Sequence, residues 1–110
     1  MMRSPEELAQ GQLEAYNARD LDRFCSYFSK DVRVLDAKTH ELLFVGMEIF
    51  RKRYTKTFSN EKLHCTLINR IVHKHIVIDQ ELVTGMQETA LEAVAIYHTN
   101  DGWITEVLFY

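Results

Sequence analysis

The sequence predicts an α+β domain, with three helices laid against a curved, mostly antiparallel sheet. Three observations lead there. Apolar residues recur at helical spacing only as far as Phe58, interrupted by two short strand-like runs. From Lys62 onward the chain is long, β-branched and strand-like. The strands are joined by tight polar turns, of which Asn100-Asp101-Gly102 is the strongest hairpin signal. The expected order is helix, helix, strand, strand, helix and then four strands, which separates the helices from most of the sheet.

Ser4-Pro5-Glu6-Glu7 starts the first helix. Ser4 can cap it, Pro5 suits its first position, and Glu7 completes a capping box. This helix runs to about Arg19, with Leu8, Ala9, Leu13 and Tyr16 available to pack. Asp20 caps a second helix, whose Leu21, Phe24, Cys25 and Phe28 make a buried stripe. After Lys30 the period becomes two, so Val32, Val34 and Asp36 share one face and Arg33 and Leu35 the other. A turn through Lys38-Thr39-His40 leads to a short strand, Leu42 to Val45. Gly46 opens a third helix carrying Met47, Phe50, Tyr54 and Phe58 (or Thr57). Strands then follow at Leu63 to Val72, Ile76 to Thr84, about Thr89 to Thr99, and Trp103 to Tyr110.

A chain of 110 residues fits one domain, 1–110, without need of staples. Its formal charge of −3 and pI near 5.9 give no basic field for a nucleic-acid partner. The densest basic run, Arg51-Lys52-Arg53 with Lys56, falls on the third helix and reads as a solvated face. Cys25 and Cys65 lack CxxC spacing and read as small buried residues of a reducing compartment. No apolar segment follows Arg3 to direct secretion, and no uncharged run approaches a membrane span. The expected location is the cytoplasm, with no membrane partner.

Several segments together resemble the nuclear-transport-factor-2-like superfamily, in its SnoaL-like and ketosteroid-isomerase-like branch. They are Tyr16-Asn17-Ala18-Arg19-Asp20-Leu21-Asp22, the run from Phe28 to Asp36, and Gly46 with Phe50-Arg51-Lys52-Arg53-Tyr54. Leu63-His64, Asn69-Arg70-Ile71-Val72, Val77-Ile78-Asp79-Gln80-Glu81 and Ile96-Tyr97 with Asp101-Gly102-Trp103-Ile104 continue the match over nearly the whole chain. The resemblance implies a cone-shaped half-barrel, homodimeric through its sheet, with a deep apolar pocket for a small molecule. It fixes no single activity, because isomerases, cyclases, dehydratases and binding proteins share the fold.

Asp36 is the first candidate base. Its parity with Val32 and Val34 would point it into the pocket, where an apolar setting raises a carboxyl pKa toward neutrality. The resemblance places the proton-shuttling aspartate there. The competing reading ends the strand early and leaves Asp36 capping the turn in solvent. Gln12 occupies the position of the family's oxyanion-hole tyrosine, and Ala93-Val94-Ala95-Ile96 holds no carboxylate to partner it. Steroid isomerase chemistry is therefore not expected.

Tyr16 and Tyr54 are candidate ligand donors, or else core aromatics. A two-residue turn at Lys74-His75 sets Arg70 opposite Asp79 and Ile68 opposite Glu81, so that His64, Arg70, Asp79 and Glu81 share a face. On that register Arg70 and Asp79 form a cross-strand pair, and His64 with Glu81 is a candidate acid–base couple. Trp103 lies at the mouth of the pocket or in the dimer seam. His73 and His75 straddle a turn with no third ligand, and no metal- or cofactor-binding signature occurs. The sequence thus supports two functional readings: acid–base chemistry on a small carbonyl-bearing ligand, or a non-catalytic ligand-binding or dimerisation module.

Overall fold

In the computed structural model, which describes residues 2–110, Ser4 forms the expected capping box. Its hydroxyl accepts the Glu7 amide at 3.1 Å, while its own amide donates to the Glu7 carboxylate at 2.8 Å. Helix α1 (Pro5–Ala18) ends at Arg19, which takes the left-handed conformation with φ 54. Asp20 then caps α2 (Leu21–Cys25) by accepting the Arg23 amide at 3.2 Å. This helix is shorter than its apolar stripe predicted. Phe28 opens strand β1 (Phe28–Asp36) and reaches the same core from extended backbone.

The remaining elements are β2 (Leu42–Val45), α3 (Met47–Phe58), β3 (His64–His73), β4 (Ile76–Thr84), β5 (Leu91–Asn100) and β6 (Trp103–Phe109). Their order along the chain is the predicted one. The six strands form one sheet in the order β2-β1-β6-β5-β4-β3, parallel only between β1 and β6. At the β5–β6 hairpin both Asp101 (φ 50) and Gly102 (φ 81) have positive φ, which explains the Asp-Gly pair there.

The helices pack on one face of the sheet. Phe24 is the hub of an aromatic cluster, with ring centroids 4.6 Å from Tyr54, 4.9 Å from Phe28 and 5.2 Å from Phe58. Phe50 stacks on it at 5.7 Å. Such pairs add about 0.5–1.5 kcal/mol each beyond burial. The basic run on α3 is exposed as expected, with Arg51 bonded to Asp22 at 2.8 Å and Arg53 over the Phe44 ring.

Asn17 explains part of the Tyr16-to-Asp22 motif. Its amide accepts the Cys65 N–H at 2.8 Å and donates to the Cys65 carbonyl at 2.9 Å, completing the edge of β3 as another strand would. Arg19 adds a bond to the Leu63 carbonyl at 3.0 Å. The end of α1 is thereby fastened to the start of β3.

One departure from the predicted register reorganises the site. Arg70 faces Asp79, as the tight turn requires. Between Leu67 and Asn69 the pairing slips by one residue, so Glu81 meets Leu67 rather than Ile68. Because a strand alternates faces, this bulge inverts everything before it. Cys65, opposite Val83, comes to the face of Glu81, and His64 turns to solvent.

Among the described residues no helix covers the other face of the sheet. Ile71, Ile78, Ile96, Leu108 and Leu35 pair in succession across five strands, forming one aliphatic row. Ile71, at its edge, is 55% exposed.

Candidate functional site

Between α1 and the inner face of β3 to β6 lies a cavity of about 210 Å³. Leu13, Val83 and Phe109 are among its apolar walls, and Gln12, Tyr16, Cys65, Glu81 and Tyr97 supply polar atoms. A second hollow of about 250 Å³, between α3 and the β1–β2 hairpin, shares Tyr16, Met86 and Phe109 with the first. Each volume lies below the roughly 300–1,000 Å³ of sites for drug-sized ligands.

Two acids two residues apart on β4 point inward and meet opposite circumstances. Asp79 is completely buried, and Arg70 holds it bidentately, Nε to Oδ1 at 2.7 Å and a terminal nitrogen to Oδ2 at 2.9 Å. The other Arg70 nitrogen donates to Gln10 at 2.9 Å, which ties the pair to α1. Glu81 is 6% exposed, and the Cys65 thiol beside it is its hydrogen-bond donor. Burial pushes its carboxyl up to about 7, the negative Asp79 adds to the rise, and the neighbouring Cys65 thiol and Arg70 oppose it. The cavity therefore holds one carboxyl able to gain or lose a proton near neutral pH.

Across from it, the Gln12 side-chain nitrogen donates to both the Ala9 carbonyl and the Tyr97 hydroxyl, each at 3.0 Å. Burial raises the pKa of Tyr16, Tyr54, Tyr97 and Cys65, so all four keep their protons at neutral pH.

The sequence profile of the SnoaL-like domain matches residues 9–107. The chain belongs to the SnoaL-like domain family. Solved structures agree in fold. An uncharacterized cystatin-fold protein from Novosphingobium aromaticivorans superposes with a TM-score of 0.86 at 22% identity, covering 97% of each chain. An NTF2-like protein of unknown function from Cytophaga hutchinsonii gives 0.82 at 14% identity, covering 100% of this chain and 91% of its own. A hypothetical protein with a ketosteroid isomerase-like fold from Catenulispora acidiphila, in complex with trimethylamine, gives 0.76 at 15% identity, covering 94% and 84%. No functionally curated protein matches significantly. The SnoaL-like resemblance is thus shown as family, and the nuclear-transport-factor-2-like likeness as fold.

Within this SnoaL-like domain the candidate residues separate into those the fold gathers and those it does not. Glu81, Gln12 and Tyr16 line the first of these cavities. Asp36 does not: it pairs with Phe109 at the end of β1, and its carboxylate folds back to accept the Lys38 and Thr39 amides at 2.8 and 3.0 Å. Those bonds hold its pKa below the usual value in an exposed setting, so the inward base expected there is corrected to a turn cap.

His64 is corrected as well, since the bulge at Ile68 turns it outward and puts Cys65 beside Glu81. Arg70 serves Asp79 and Gln10 and does not border this cavity, so it is not a contact for a ligand held there. Trp103 lies against Arg3, whose guanidinium sits 4.8 Å from the ring centre, away from the cavity. Tyr54 is wedged between Phe24 and Phe50 and borders only the second hollow. Gln12 has both amide hydrogens committed and so offers no free donor to a ligand.

Sequence reasoning missed Tyr97 and Cys65 as site residues. The alternation of Ala93, Ala95 and Tyr97 on β5 carried a signal for the tyrosine. Cys65 had none, because its orientation depends on the bulge. Among the described residues no cluster of His, Cys, Asp and Glu could hold a metal ion, and no helix is long and apolar enough to cross a membrane.

Proposed function

We propose that this SnoaL-like domain takes a small apolar, carbonyl-bearing molecule into the 210 Å³ cavity and moves a proton on it through Glu81. The supporting observation is a buried carboxyl that faces the cavity, has only the weak Cys65 thiol as its donor and titrates near neutrality. Isomerisation, cyclisation and dehydration of a carbonyl compound all need such a group. The test compares Glu81→Gln with Asp36→Asn on any substrate found by screening small cyclic ketones. Loss of turnover in the first variant only is the expected result; full activity in Glu81→Gln would contradict the proposal.

A non-catalytic binding role is the alternative, favoured by one observation: Gln12, at the expected donor position, has no free hydrogen to offer. It predicts that ligands raise the melting temperature of Glu81→Gln as much as that of the wild type, with no reaction in either.

The helix-free sheet face suits a second copy of the chain. Its support is the exposed Ile71 with the half-buried Ile78 and Ile96, which a symmetric partner would remove from water. Sedimentation should give a dimer, and Ile78→Lys with Ile96→Lys should give a monomer; a monomeric wild type would refute it. A cytoplasmic location completes the proposal, supported by two free buried cysteines, which suit a reducing compartment.

A further inference from the structure

We infer that the second hollow, between α3 and the β1–β2 hairpin, binds the carboxylate of a small apolar acid, with Arg53 pairing with the charge and the Tyr54 and Tyr16 hydroxyls donating to it. The inference does not rest on Glu81, which does not line this hollow.

Arg53 stands apart within the basic run of α3. Arg51 is engaged by Asp22 at 2.8 Å. Arg53 meets no acid: none of the ion pairs among the described residues includes it, and its guanidinium carbon lies 4.5 Å from the centre of the Phe44 ring. An arginine laid on an aromatic ring is steadied by the π face and keeps its N–H edge for a planar acceptor. Both residues border the hollow. Arg53 is the one charged residue in its lining, so the field there favours an anion.

The other polar groups of the hollow are donors too. Thr57, one turn after Arg53, gives its hydroxyl hydrogen to the Arg53 carbonyl at 3.1 Å. The Tyr54 and Tyr16 hydroxyls make no hydrogen bond among the described residues, yet neither is sealed away as a buried orphan. Each therefore opens onto accessible space. Tyr16 borders both hollows, and Tyr54 borders only this one. Burial raises the pKa of both phenols, so each keeps a hydrogen to donate at neutral pH.

The remaining wall is apolar, with Val34, Phe44 and Phe109 offering faces to a ring or short chain. At interior packing density, 250 Å³ has room for roughly a dozen non-hydrogen atoms. A carboxylate leaves space there for a phenyl ring and a short linker. A guanidinium edge meets a carboxylate with two parallel bonds, and a lone cation suits its single charge better than that of a doubly charged phosphate.

The probe is 4-phenylbutyrate, titrated into the isotope-labelled full chain at neutral pH and low salt and followed by NMR, with 4-phenylbutanamide as its neutral counterpart. Wild type should bind the acid about tenfold more tightly than the amide. Arg53→Gln should abolish that preference, whereas Arg51→Gln, which removes a charge from the same helix, should keep it. Tyr54→Phe should weaken binding of the acid several-fold, with the melting temperature unchanged or higher. Glu81→Gln should bind the acid at least as tightly as wild type, which separates this site from the cavity beside α1. Equal affinity for acid and amide in wild type, no saturable binding of the acid, or an undiminished preference in Arg53→Gln would overturn the assignment. Loss of the preference in Arg51→Gln as well would reduce it to the general field of the helix and overturn it equally. Wild-type affinity in Tyr54→Phe would overturn the role of that phenol. Loss of binding in Glu81→Gln would move the acid to the first cavity and overturn its placement here.

Discussion

Glutamine in place of Glu81 keeps the shape of the side chain and removes its proton equilibrium, so the pair isolates one ionisation. The carboxyl moves from its ordinary 4.5 to about 7 on folding. At about 1.4 kcal/mol per unit, the shift corresponds to roughly 3 kcal/mol. The folded pKa is raised, so the native state binds this proton more tightly than the unfolded chain. The stabilisation is fully present below pH 4.5 and is lost as pH rises through 7. Glu81→Gln cannot lose it. The variant should match wild type within about 1 kcal/mol at pH 4.5, and exceed it by up to about 3 kcal/mol at pH 8.5. For a domain of this size that gain is a rise of roughly 10–15 °C in melting temperature. Thermal melts of both proteins from pH 4.5 to 8.5, followed by circular dichroism, measure the difference, and other titrating groups cancel between them. A gap that stays constant with pH would refute the reasoning.

Three further perturbations test the frame around the site. Arg70→Met strips Asp79 of its partner inside the fold and should cost about 3–5 kcal/mol in urea unfolding; a loss below about 1 kcal/mol would mean that the pair does not hold β3 against β4. Asn17→Ala removes both bonds to the Cys65 backbone and should cost about 2 kcal/mol. Amide exchange at Cys65 should accelerate, and unchanged protection there would contradict the strand-edge role. Gly85→Ala should destabilise by about 1–3 kcal/mol, because Gly85 has φ 91 and an added Cβ would collide with the Lys62 carbonyl. An unaltered melting temperature would show that the β4–β5 loop shifts freely.

The sequence revealed the element order, because helical and strand periods are local properties with clear punctuation at Ser4, Gly46 and Asn100-Asp101-Gly102. It also placed Arg70 against Asp79, since a tight turn counts residues reliably until the ladder is interrupted. The interruption at Ile68 had no local signature: a β-branched residue in a β-branched run looks like any other strand position. One inserted residue was enough to exchange His64 for Cys65 beside Glu81.

Asp36 misled for a different reason. Its strand parity was legible, but at a strand end the short carboxylate finds turn amides closer than any cavity. The pairing of Gln12 with Tyr97 spans 85 residues, and only the assembled fold makes the helix residue a support for the strand tyrosine.

The central claim is that Glu81 carries a proton into the neutral range inside the cavity. Its most direct test is an NMR titration of the side-chain carboxyl carbon of Glu81, assigned by its loss in Glu81→Gln. The account predicts a midpoint near 7 in the folded protein. A midpoint at its ordinary value of about 4.5 would contradict it.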